Sequence, residues 1–224
     1  MQVHKIINHP VDSTCFVLEG DIDNRCIVID PGTEDSGELF AKLDERKQTV
    51  QYIFLTHEHI DHIIGCKVLK ERYPKAQLLC SDLCARNLND TRFNLSRFAE
   101  QFTPHDSFPE ADLAYTDELV IKWQGLKARF FKAMGHSPGS SHALIGNCLF
   151  VGDTYIYHYK TTTTLPGASK QELVKTFESL LNDYTNENLT VYPAHFESCT
   201  PEDMRDELMP QAEKMKAILR KKGL

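Results

Sequence analysis

Short apolar runs bounded by turn-forming residues dominate the first third of the chain. Residues 3–7, 14–18 and 25–29 each read as a strand, and the last two are joined by a turn from Gly20 to Asn24. Asp30-Pro31-Gly32 stops the third run. Leu39, Phe40 and Leu43 then fall at helical spacing and predict a helix over 37–46. Residues 52–55 form a short buried strand that delivers the chain to Thr56. A helix is expected over 63–73, ended by Pro74, and a strand over 77–80. Residues 86–111 are polar and irregular and read as loop or short helix. Strand patterning resumes over 119–123, 128–133, 141–145 and 149–151. An amphipathic helix comes next over 170–181, then a last strand over 189–192 and a helical tail over 201–222, broken near Pro210. The order is strands then helix, twice over. It predicts an α/β fold: a four-layer αββα sandwich of two mixed β-sheets with helices on both outer faces, with residues 1–224 as a single domain.

Composition narrows the class. Hydrophobic residues make up 41% of the 224 and charged residues 25%, enough apolar material for a core. The net charge of −7 argues against a nucleic-acid partner, since phosphate binding needs a field of Lys and Arg. The basic cluster at Lys214, Lys216, Arg220, Lys221 and Lys222 reads as a solvated helix end with cations at the negative pole of its dipole. No stretch is long enough to span a bilayer, and the first ten residues lack an apolar signal-peptide core. Seven cysteines, an odd number set mostly in apolar runs, read as reduced buried thiols of a cytoplasmic protein. The expected partner is a small-molecule substrate. Nothing in the sequence fixes the oligomeric state.

The chemistry is concentrated at His57-Glu58-His59-Ile60-Asp61-His62, directly after a strand. In extended chain, side chains two apart point the same way, so His57 and His59 reach one metal together. Asp61 and His62 come where the chain turns into a helix and point to a second position nearby. Imidazole and carboxylate suit zinc, iron or manganese. Three more ligand types stand at strand exits downstream: His136 in Gly135-His136-Ser137-Pro138-Gly139, Asp153 in Gly152-Asp153-Thr154, and His195 in Tyr192-Pro193-Ala194-His195.

In that order these segments resemble the metallo-β-lactamase superfamily, over about residues 3–210. The resemblance implies that His57, His59 and His136 hold one ion, that Asp61, His62 and His195 hold a second, and that Asp153 bridges them. It implies two divalent ions as cofactors, zinc first, with iron or manganese as alternatives. His4, His9, His105, His142 and His158 match no ligand position. Within the superfamily the chain is similar to the compact glyoxalase II-like hydrolases, through Asn94-Leu95-Ser96, Leu165-Pro166-Gly167 and Asp30-Pro31-Gly32. Asp30 reads either as an acceptor that orients a ligand imidazole or as a turn-stabilising residue.

The departures fall on the expected pocket wall. Four threonines, Thr161 to Thr164, stand where those hydrolases have Gly-Arg-Thr-Asp. A glycine-rich run is replaced by Tyr155-Ile156-Tyr157-His158-Tyr159-Lys160. Tyr155, Tyr157, His158 and Lys160 are therefore candidate substrate contacts, with packing of the loop against the sheet as the alternative. Only short helices are expected after His195. The implied reaction is attack of metal-activated hydroxide on a small thioester or ester, as in hydroxyacylglutathione hydrolase, with Asp61 and Asp153 orienting the nucleophile. The alternatives are a mononuclear-iron persulfide dioxygenase of the same fold, for which His57, His59 and Asp153 would suffice, and a lactonase or phosphodiesterase.

Overall fold

The computed structural model describes residues 1–102, 107–185 and 188–223; His105 lies outside them. The first sheet begins with β1 (Gln2–Ile7), β2 (Thr14–Glu19) and β3 (Arg25–Ile29), paired antiparallel in sequence order. Helix α1 (Gly37–Glu45) then returns the chain so that β4 (Thr49–Phe54) pairs parallel with β3. A parallel pair needs such a crossover, and β5 (Gln77–Ser81) and β6 (Leu113–Tyr115) extend the parallel half. The connection from β4 to β5 carries two short helices, α2 (Ile60–Ile63) and α3 (Cys66–Arg72), and α4 (Asp82–Asn87) comes directly after β5. The second sheet runs β11-β10-β9-β8-β7 in space. Its strands are β7 (Glu118–Trp123), β8 (Leu126–Lys132), β9 (Ser141–Ile145), β10 (Cys148–Gly152) and β11 (Thr190–Pro193). The first four are antiparallel. Helix α5 (Lys170–Asp183) is the crossover that sets β11 parallel to β10, and α6 (Pro201–Lys221) packs beside it.

The layering arises from the period-two alternation of strand side chains. Cys15 and Val17 of β2 face one way and join Leu39, Leu43 and Leu69 of α1 and α3. Phe16 and Leu18 face the other way and meet Phe130, Ala143 and Phe150 of the second sheet. On the far side of that sheet, Leu149 and Val151 pack under Leu173 and Phe177 of α5 and Leu208 of α6. The central strands are thus buried on both faces, and the αββα sandwich of two mixed sheets is the observed fold.

Three local expectations need correction. The helix expected over 63–73 is two helices that meet at Gly65. Its N–H bonds the Pro31 carbonyl at 2.8 Å, and a Cβ there would stand 2.6 Å from the Thr33 carbonyl oxygen, so the chain passes too close to another loop to carry a side chain. Within the irregular 86–111 stretch Ser96–Phe98 forms one 3-10 turn, and β6, just after that stretch, has only three residues, too few to show a pattern in the sequence. The tail is not broken at Pro210, nor does it consist of short helices. α6 runs 21 residues through Pro210, which is exposed, while Met204, Leu208 and Ala212 are buried on its inner face. That packing carries the helix past the one hydrogen bond its proline cannot donate. All seven cysteines are free and buried.

Candidate metal centre

The strand β4 ends at Phe54, and two residues later Thr56 opens the ligand segment at the mouth of the sandwich. Alternation sorts the side chains of that segment. His57 and His59 turn to one side, and the Nε2 of His57 lies 3.0 Å from the Nδ1 of His59. The Nε2 of His136 lies 3.0 Å from the same Nδ1. These two separations are close to the edge of a tetrahedron around a zinc-sized ion, about 3.3 Å for bonds of about 2.0–2.1 Å, and all three ring nitrogens lie within 4.8 Å of one another. Glu58, between the two histidines, faces the opposite way. It accepts hydrogen bonds from Asn87 Nδ2 (2.9 Å), Ser137 Oγ (2.9 Å) and the Gly139 N–H (3.3 Å), and so ties down the turn that carries His136. Burial raises the pKa of its carboxyl, against those donors. Glu58 is a residue that sequence reasoning misses, although its place between two histidines of one face is an available signal.

The second group forms where α2 begins. The Asp61 Oδ2 stands 3.2 Å from His62 Nε2 and 3.7 Å from His195 Nε2. The ligand-type atoms of Asp61, His62 and His195 all lie within 4.8 Å of one another, as do those of His57, His59 and His136. Asp153 sits between the groups. Its Oδ1 is 3.7 Å from His62 Nε2, and its Oδ2 is 3.6 Å from His136 Nε2 and 3.3 Å from His195 Nε2. All seven residues named from the sequence therefore meet in one place.

Outer contacts fix three of the rings. Asp30, buried and held at φ 51°, accepts hydrogen bonds from the Thr56 N–H (2.8 Å) and hydroxyl (2.6 Å) and contacts His62 Nδ1 at 3.1 Å. The Thr56 oxygen, having given its proton to Asp30, accepts from His57 Nδ1 at 3.0 Å. Asp30 thus sets the tautomer of one imidazole in each group, with Nε2 turned inward in both. Its own oxygens are fully used in this work, so its nearness to His57 and His62 does not make it a ligand. His195 Nδ1 contacts the Asp12 carbonyl at 3.0 Å, which again leaves Nε2 facing inward.

The donor set fits metal ions by an internal test. His62 Nε2 and Asp153 Oδ1 are buried, face each other and have no hydrogen-bond partner. Groups left so are costly unless a cation meets them. Electrostatics agrees. Burial opposes charge on His62, but the Asp61 and Asp153 carboxylates beside it override that and raise its pKa well above the ordinary imidazole value. Positive charge is favoured at that point, as a proton or as the ion that displaces it. Burial and its histidine neighbours push His59 down to about 3 and His57 lower than usual as well, keeping both neutral and fit to bind.

The four candidate substrate residues lie elsewhere. Tyr155 is buried with Leu149 and Val151 under α6, and its hydroxyl donates to Glu207 at 2.9 Å. The His158 N–H and ring bind the same carboxylate, and Tyr157 stacks on the His158 ring. Lys160 lines a cavity of about 160 Å³ with Lys170, Lys214 and Met215. The loop is thus fastened to α6, the packing alternative. The cleft beside the ligand groups is formed instead by the segments around Leu95 and Leu165, with Asp61 in its wall, and holds about 420 Å³.

Comparison with known proteins agrees with this geometry. The profile of the family described as "Metallo-beta-lactamase superfamily" matches residues 9–195. The chain is similar to "Glyoxylase B2" of Dictyostelium discoideum, 27% identical over 168 residues, which cover 73% of this chain and 55% of that protein. It is also similar to a "Hydroxyacylglutathione hydrolase" of Aeromonas salmonicida, 28% identical over 154 residues, covering 68% of this chain and 51% of the relative. The chain thus spans about half the length of these two relatives. Among solved structures, the BLEG-1 B3 metallo-beta-lactamase superposes with a TM-score of 0.82 at 24% identity, over 92% of this chain and 97% of that one, a likeness of fold. Among the described residues no helix is long and apolar enough to cross a membrane.

Proposed function

The chain belongs to the metallo-beta-lactamase superfamily, whose members are generally hydrolytic, and on that premise we propose that it is a binuclear metal-dependent hydrolase of small thioesters or esters. The observation that carries this reading is Asp153, whose carboxylate lies against both groups: Oδ1 faces His62, and Oδ2 faces His195 of that same group and His136 of the other. In this reading His57, His59 and His136 hold one ion and Asp61, His62 and His195 the other, with zinc the first candidate for both. When bound, such ions bring the pKa of a water toward neutrality and polarise a substrate carbonyl.

The chain's own residues supply position. Asp153 and Asp61 accept hydrogen bonds from the attacking water and aim its oxygen at the carbonyl carbon. Asp61, the more exposed of the two, forms part of the cleft wall and faces the reacting bond. Asp30, through Thr56, keeps the two groups in register while the substrate changes charge. No serine or cysteine nucleophile is needed, and all the cysteines are buried.

Elemental analysis of the protein as purified, followed by a thioester, ester and lactone panel with chelator controls, tests the proposal. The expected result is two divalent ions per chain and chelator-sensitive hydrolysis. One iron per chain with oxygen uptake on a glutathione persulfide would replace it with the dioxygenase reading, and a silent panel on fully loaded protein would defeat it.

A further inference from the structure

The cleft next to Asp61 has a chemistry of its own. Ile60, Leu95, Phe98, Phe102, Leu165 and Pro166 form most of its walls, and among the described residues no lysine or arginine lines it. Its volume of about 420 Å³ lies at the small end of the range for small-molecule sites. Phe98 stands at this cleft 62% exposed, an aromatic ring left to water. Arg97 stacks on that ring, 5.4 Å from its centroid, but is not among the lining side chains.

Backbone conformation points the same way on both flanks of the site. Leu95 is held at φ 64° and Phe196, next to His195, at φ 66°. Side chains rarely adopt this left-handed region, where glycine or asparagine would sit with less strain. The chain nevertheless places a large apolar side chain at each. Phe196 is 51% exposed and stacks on Tyr159 with ring centroids 4.5 Å apart. Apolar side chains therefore flank the ligand groups on two sides, and each side presents an exposed aromatic ring, Phe98 on one and Phe196 on the other.

We infer that the site selects substrates by an uncharged apolar acyl group of medium length, seated in the cleft between Leu95, Phe98 and Leu165, and not by a charged peptide on the leaving thiol. The consequence for turnover rests on the hydrolase reading; the binding preference does not. Every substrate of that reaction has an acyl side, and it is the side that needs no charge. A zwitterionic peptide such as glutathione would meet apolar walls where it requires hydrogen-bonding and charged partners.

The test is calorimetric binding of non-hydrolysable thioethers to the metal-loaded protein: S-methyl, S-butyl and S-hexyl N-acetylcysteamine, with S-hexylglutathione for comparison. Affinity is expected to rise about three- to fourfold per added methylene, the value for burying a CH₂ group. Phe98→Ser, a change at an exposed position, is expected to flatten that gradient at unchanged metal content. A flat series in the unmodified protein overturns the inference. So does a gradient that survives in Phe98→Ser, or binding of S-hexylglutathione more than tenfold tighter than S-hexyl N-acetylcysteamine. The matched acetyl to hexanoyl thioesters separate the two levels. A binding gradient without turnover of any thioester defeats the hydrolase reading and leaves the apolar cleft standing.

Discussion

The ligand segment 57–62 and the loop 155–164 both leave the end of a buried strand, and both are rich in His, Tyr, Asp or Lys. Their side chains have opposite destinations. After β4, the polar groups converge inward on one another, and His62 Nε2 and Asp153 Oδ1 remain unpartnered. After β10, Tyr155 and His158 turn to Glu207 of α6 and are satisfied there. Chemical composition at a strand exit does not by itself mark a functional group. The two differ in whether the protein has already supplied a partner. A polar group that the protein satisfies is structure; a cluster that it buries and leaves unsatisfied awaits a ligand.

The sharpest way to break this contrast is at Asp153, which lies against both groups of side chains. Asp153→Ala is expected to cut hydrolysis by more than the roughly 10–100-fold typical of outer contacts to metal ligands, and to lower the metal content below two per chain by elemental analysis. Full metal content with near-normal turnover would mean that the two groups do not act together. Asp30→Asn comes next. The new amide must present its NH₂ group either to the Thr56 N–H or to the Thr56 hydroxyl and His62 Nδ1, all of which now contact acceptor oxygens. A roughly 10–100-fold loss of metal affinity is expected, read by competition with a chromogenic chelator. An unchanged affinity would return Asp30 to the turn-stabilising role.

Much of this is legible in the sequence, for identifiable reasons. The sandwich shows because β2, β3 and β10 are apolar at consecutive positions, the mark of strands buried on both faces. The seven ligand-type residues show because they stand in the segments that follow strands, Asp61 and His62 at the first helix after β4, and the fold gathers strand ends. The hidden features depend on contacts distant in sequence. Gly65 divides a helix only because the Pro31 and Thr33 carbonyls pass against it. Pro210 leaves α6 unbroken only because the inner face of the helix is packed on α5 and the second sheet. Tyr155 points under α6 because it joins the same face as Leu149 and Val151, and the irregular turn at Gly152 intervenes before that parity can be traced.

Gly152 joins the two regions and offers a smaller effect. It sits at φ 54°, and a Cβ there would stand 2.8 Å from the Thr56 Cβ and Oγ1. Gly152→Ala therefore carries the left-handed penalty and pushes on the residue that sets the His57 tautomer. A stability loss of about 1–3 kcal/mol in denaturant unfolding is expected, with weaker metal binding in proportion to the displacement of Thr56. Wild-type stability would show that the turn relaxes freely, and the link between β10 and the Asp30 network would fall.

The smallest change bears most directly on the outward-facing loop. Tyr155→Phe keeps the ring that packs among Leu149, Leu173 and Leu208 and deletes only the hydroxyl that binds Glu207. That hydroxyl donates to a charged acceptor and accepts weakly from the Cys199 thiol at 3.8 Å, so a loss of about 1.5–3 kcal/mol is expected by thermal or denaturant unfolding. Glu207 keeps the His158 N–H and ring as partners, which limits the penalty for leaving its carboxylate without the phenol. On metal-loaded protein, kcat/KM for a thioester is expected to change by less than twofold, because the phenol is spent on α6 and lies outside the cleft wall. A tenfold fall in kcat/KM at unchanged stability would reverse the assignment. It would mean that the phenol leaves Glu207 when substrate binds, and that the 155–164 loop belongs to the reaction after all.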